Sequence, residues 1–198
     1  MVGIGVLMGL AVLAGMTLLV VSAQPYALHG SVIDPAISAP TLPLPATNGS
    51  TFDLAQQKGK LLLVFFGYTS CTDVCPATLA QLRQVVDQLG KQSGAVQVVF
   101  VTVDPQRDTL EKMQSYVSAF HSDFIGLTGT SGQLDPVWKA YGVYHEIQPN
   151  SAQPDNYTVD HSTFVYLIDP KGQLRLTFPL GTNVDDMVQD IRYLLKEG

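Results

Sequence analysis

The chain of 198 residues holds two cysteines, Cys71 and Cys75, and four histidines, His29, His121, His145 and His161. Three residues separate the cysteines. At a helix start that spacing puts the sulfurs about one turn apart, which suits a disulfide or a bridging soft metal. A disulfide across so short a loop removes little unfolded-chain entropy, so the pair reads as functional rather than as a staple. As a redox pair, Cys71 would be the more exposed, attacking sulfur and Cys75 the resolving one. A closed zinc site calls for four ligands, and two cysteines with a few scattered histidines make it a poor candidate. Two thiolates with one imidazole suit copper instead, since sulfur holds Cu(I) and nitrogen lets the same site accept Cu(II).

The histidines differ in what surrounds them. His29 lies in a proline-rich stretch and His121 ends an amphipathic segment, where a cation near the last carbonyls is sufficient explanation. His145 follows Tyr141 and Tyr144 in what reads as an exposed loop. His161 directly precedes the apolar run Thr163 to Ile168. If that run pairs with Leu61 to Phe66 in one sheet, the loop entering it approaches the cysteines. His161 is therefore the candidate nitrogen ligand, against the alternative of a strand-start histidine that only satisfies a local hydrogen bond. Asp160 beside it is placed to orient the loop.

The elements that must position these residues follow from periodicity. Leu61 to Phe66 (LLLVFF) and Val96 to Val103 (VQVVFVTV) are unbroken apolar runs and predict strands buried on both faces. Between them Leu79, Leu82, Val85, Val86 and Leu89 recur at helical spacing after Pro76, so a strand–helix–parallel strand unit is implied. The cysteines fall where the strand gives way to its helix, at the end of the sheet where α/β folds place chemistry. Further helices are expected at 109–121, with Asp108 and Glu111 as a capping pair, and at 134–141. An antiparallel hairpin turning at Asp169-Pro170-Lys171-Gly172 precedes a final helix capped by Asn183. The sum is an α/β fold with a mixed sheet flanked by helices.

Residues 1–33 carry no Asp, Glu, Lys or Arg. Val2 to Val21 is long enough to cross a bilayer, and Val21-Ser22-Ala23 offers a small-x-small cleavage site, so 1–23 is expected to be a transmembrane anchor or a signal segment. A Pro-rich tether is expected over 24–44 and the domain over 45–198, with a small hairpin around Asn48-Gly49 at its start. Seventeen acidic against eleven basic residues give a net charge of −6 with no basic run, which argues against a nucleic-acid partner.

Several segments together carry a family likeness. GKLLLVFFGYTSCTDVCPATL from Gly59, TVDPQRDT from Thr102, FIGLTG from Phe124 and YTVDHS from Tyr157 closely resemble the Sco/SenC family of membrane-tethered, thioredoxin-like copper proteins, over about 45–197. The resemblance implies copper, as Cu(I) or Cu(II), on Cys71, Cys75 and His161. It implies a metallochaperone that delivers copper to, or reduces the cysteines of, the binuclear copper site in cytochrome c oxidase subunit II. It also implies a domain on the extracytoplasmic face of the cell membrane. Thr72 departs from the proline that many relatives carry after the first cysteine. Thioredoxins carry a proline before the strand facing the redox turn, whereas here Asp160-His161-Ser162 stands in that place, which tilts the balance toward metal.

Overall fold

The computed structural model describes residues 26–154 and 156–197. The expected anchor or signal segment lies outside them, and among the described residues no helix is long and apolar enough to cross a membrane.

Strands β2 (Leu61–Gly67) and β3 (Val96–Thr102) pair in parallel, and every residue of both is buried. Their continuous apolar runs are what a strand covered on both faces requires. Helix α1 (Val74–Leu89) joins them and buries Cys75, Leu79, Leu82, Val85, Val86 and Leu89. Strand β4 (Ile125–Leu127) extends the sheet beyond β3 in parallel. On the other side β7 (Val165–Ile168) runs antiparallel to β2, and β8 (Gln173–Phe178) antiparallel to β7. With β1 (Ser31–Ser38) beyond β8, the mixed six-stranded order is β1-β8-β7-β2-β3-β4. Among the described residues the other α-helices are α2 (Leu110–Ser118), α3 (Ser131–Ala140) and α4 (Val184–Glu197), the last packing against α1. Strands β5 (His145–Gln148) and β6 (Thr158–His161) form a separate two-stranded ribbon.

Four sequence expectations need correction. The stretch expected to be a tether carries β1, and Leu42 and Leu44 within it are fully buried. An edge strand paired on one side, bulged between Val32 and Ile37 and largely exposed, shows no clean alternation to read. Helix α2 is capped by Thr109, whose hydroxyl accepts from the Lys112 N–H, and it ends before His121. Asp108 is buried and bonded elsewhere, so it is no cap. Helix α3 begins three residues earlier than expected because the Gln133 carboxamide accepts from the Thr130 N–H. The segment at His145 is a strand rather than a loop, its apolar face being short enough to leave no period.

The expected entrance hairpin is present in a tight form. Gly49 takes the left-handed conformation, and Ala46 N–H donates to the Ser50 carbonyl. This turn lies along the outer margin of β4, where Thr47 N–H donates to Gly126 O and Thr128 N–H to Pro45 O.

Candidate metal centre

Cys71 lies just ahead of α1 and Cys75 in its first turn, both at the end where β2 leaves the sheet. The Cys75 side chain is fully buried, whereas Cys71 is partly exposed. Beneath them Gly67 ends β2. A methyl group there would stand 2.8 Å from Cys75 Sγ and 2.8 Å from Phe100 Cε2, so the sulfur needs a residue without a side chain as its floor. The Cys75 N–H, one of the unpaired donors of the helix head, points at Cys71 Sγ over 3.3 Å.

His161 arrives from the ribbon. Its Nε2 is 3.4 Å from Cys75 Sγ, while its Nδ1 is 2.8 Å from the carbonyl oxygen of Ser162. A carbonyl can only accept, so Nδ1 carries the proton and Nε2 keeps a free lone pair turned toward the sulfurs. The ring is held edge-on by Phe65 and Tyr68. The Tyr68 hydroxyl accepts from the Val159 N–H, tying β6 to the end of β2. One ligand atom from each of Cys71, Cys75 and His161 lies within 4.8 Å of the other two. Ligands about 2.0–2.3 Å from one ion stand roughly 3.5–4 Å apart, so a small closing movement would suffice. Cys71 and His161 line a cleft of about 510 Å³ together with Asp73 and Asp160.

The two thiols are electrostatically unlike. Cys71 is held well below the usual thiol range, first by a hydrogen bond from the Cys75 side chain and further by the N–H groups of Cys75 and Asp73, against the opposing effect of burial. Cys75 is pushed up by donating to Cys71 and by burial. The pair therefore holds one thiolate, on the outer sulfur, and one thiol, on the inner.

The other histidines stand apart from this cluster. His29 bonds to Asp190, and His121 Nδ1 accepts from the Asp123 N–H. His145 is opposite His161 in the ribbon register, but its ring packs on Trp138 at 4.1 Å and lines a different cleft. Asp160 is exposed and accepts from the Gln148 carboxamide, a contact within the ribbon rather than with the His161 ring.

The SCO1/SenC family profile matches residues 36–196. The chain belongs to the SCO1/SenC family. It is 37% identical over 145 residues to a SCO2-like protein of Rickettsia conorii, covering 73% of this chain and 71% of that protein. It is 44% identical over 120 residues to the mitochondrial SCO2 homolog of Homo sapiens, covering 60% of this chain and 45% of that protein. Among solved structures, Arabidopsis thaliana ScoI with copper bound matches with a TM-score of 0.74 at 30% identity, over 81% of this chain and 99% of that one. Yeast Sco1 with copper bound matches with a TM-score of 0.72 at 32% identity, over 83% and 91%. The mixed sheet with flanking helices is thus the thioredoxin-like architecture of the Sco proteins.

Sequence reasoning passed over two supports of this Sco site. Gly67 was legible only as the end of an apolar run, although a glycine immediately after a buried strand is the available signal for close approach. The sequence pattern pairs Asp108 with Glu111, yet its carboxylate accepts from Thr69 N–H, Thr69 Oγ1 and Thr102 Oγ1. A carboxylate that accepts three hydrogen bonds under the cysteine turn is not visible in a linear motif.

Proposed function

We propose that this chain binds a copper ion as cargo through Cys71, Cys75 and His161 and delivers it to the binuclear copper site of cytochrome c oxidase subunit II. The observation that carries this reading is the meeting of two sulfurs with an imidazole nitrogen whose lone pair is free. The donor set is soft enough for Cu(I) and holds the nitrogen that Cu(II) favours. Relatives from Arabidopsis thaliana and yeast solved with copper bound support it. Cys71, already a thiolate, would engage first, and Cys75 would release its proton as it joins. Release then proceeds by ligand exchange with the acceptor's own ligands. The apolar segment from Val2 to Val21 would keep the domain at the extracytoplasmic face of the membrane.

The asymmetry of the thiols favours a second reading, a dithiol reductase for the same acceptor. In that reaction the Cys71 thiolate attacks an acceptor disulfide and expels one acceptor thiolate. The Cys75 sulfur then displaces the second, leaving a Cys71–Cys75 disulfide and a reduced acceptor, with the two electrons supplied by this chain.

His161→Ala separates the readings. Anaerobic copper titration of the purified chain, followed by absorption and electron spin resonance, should show thiolate-to-Cu(II) charge transfer with nitrogen coupling. The variant should lose stable Cu(II) while keeping disulfide exchange. Unchanged stoichiometric Cu(II) binding in the variant would overturn the three-ligand assignment. A reduced chain that binds no Cu(I) yet reduces a subunit II disulfide would favour the reductase.

A further inference from the structure

The motif TVDPQRDT is left without a role by the three ligands alone, although Thr102, Asp104 and Asp108 within it are buried. Asp104 is 2% and Asp108 1% exposed, and Thr102 is fully buried. Buried carboxylates persist only when hydrogen bonds replace their water, so the partners of these two define what the motif holds.

Asp108 faces the cysteine side. Its carboxylate accepts from Thr69 N–H at 3.1 Å, Thr69 Oγ1 at 2.6 Å and Thr102 Oγ1 at 2.7 Å, fastening the chain two residues before Cys71 to the end of β3. Lys112 adds a hydrogen bond to Ser70 Oγ, the next residue of the same turn.

Asp104 and Arg107 face the histidine side. Arg107 Nε donates to Asp104 Oδ2, and Arg107 Nη1 donates to the Tyr157 carbonyl at 2.9 Å. The guanidinium lies 3.6 Å from the centre of the Tyr157 ring, while the Tyr157 hydroxyl donates to Asp104 Oδ1 at 2.7 Å. Tyr157 immediately precedes β6, the strand that ends at His161. A stacked, charged and hydrogen-bonded contact of this kind places a backbone more narrowly than a lone ion pair does.

We propose that the turn from Asp104 to Asp108 is a shared strut that sets the distance between the sulfur and nitrogen halves of the site, with Asp108 and Arg107 as separate positioning residues for each half. This rests on the reading of Cys71, Cys75 and His161 as the copper ligands. Neither positioning residue touches the cargo. Their two sets of bonds diverge from one turn whose own backbone is closed by Asp108 N–H donating to Asp104 O and by Asp104 N–H donating to Thr102 Oγ1. Motion at one end is thereby separable from motion at the other.

The test compares Arg107→Gln with Asp108→Asn, with Tyr157→Phe as a milder variant that removes only a hydroxyl. Amide hydrogen exchange of the metal-free chain reads the strut without copper. Arg107→Gln should speed exchange over 158–162 by roughly tenfold and leave 68–75 unchanged, Asp108→Asn should do the reverse, and Tyr157→Phe should act like Arg107→Gln to a smaller degree. In the Cu(II) complex, Arg107→Gln should weaken or broaden nitrogen coupling while thiolate charge transfer persists. Asp108→Asn should shift the charge-transfer band with nitrogen coupling kept. Both variants loosening both segments alike, or neither segment, would overturn the strut. A wild-type chain that shows no nitrogen-coupled Cu(II) would instead overturn the ligand assignment, and the exchange pattern would still decide the strut.

Discussion

Cys71 and Cys75 stand where a strand buried along its whole length runs into a sixteen-residue helix, whereas His161 ends a four-residue strand in a ribbon outside the main sheet. The sulfurs inherit their position from the hydrophobic core, because Cys75 is a buried member of it set close over Gly67 and Cys71 packs against it. The imidazole depends on side-chain and loop contacts: Tyr68 on Val159, Arg107 on Tyr157, Trp138 on His145, and Tyr144 with Ser162. The sulfur pair is thus fixed by folding itself, while the imidazole is placed by a few polar and aromatic bonds that mutation can remove singly.

The heaviest blow to this contrast falls on the sulfur side. Cys75→Ser should lower Cu(I) affinity by on the order of a hundredfold or more in an anaerobic chelator competition, since losing a ligand exceeds the cost of losing its supports. A variant within a few-fold of the wild type would mean that the inner sulfur does not bind.

Gly67→Ala tests whether the core dictates the thiol position. The added methyl group has no room against Cys75 Sγ and Phe100, so thermal or denaturant unfolding should show a loss of about 1–3 kcal/mol. A neutral result would show that the floor beneath Cys75 yields.

The smallest effect is a pH profile. With the Cys71 thiol held below its ordinary range, the thiolate is already present at neutrality. Its alkylation rate in the metal-free chain should stay nearly flat between about pH 6 and 8, where an ordinary thiol gains roughly tenfold per unit. The rate should drop only in acid, as the thiolate takes up its proton. A steep rise across neutrality would contradict the unlike thiols.

The same contrast explains what could be read in advance. LLLVFF and VQVVFVTV declare strands β2 and β3 because full burial leaves no polar interruption, and the helix period after Pro76 then places the cysteines at the sheet end. The hairpin closing at Gly172 and the Asn183 cap follow from turn and cap chemistry. His161 was a candidate only through its position before β7, since its approach to Cys75 depends on the antiparallel pairing of β7 with β2 and on a ribbon that no local period announces. Strand β1 was missed because its partner, β8, lies some 140 residues downstream and supplies backbone bonds rather than a face to bury. Leu42 and Leu44 offered an overlooked signal, alternating with prolines in a way a free linker has no reason to do.

Both lateral margins of the sheet are blunted. The entrance turn covers β4, and β1 is broken by a bulge and by Pro35. A further strand has no regular ladder to extend, which discourages the edge-to-edge stacking that leads to fibres. Recognition of this molecule is thereby steered away from backbone zippering and toward the side chains displayed at the tips of its strands.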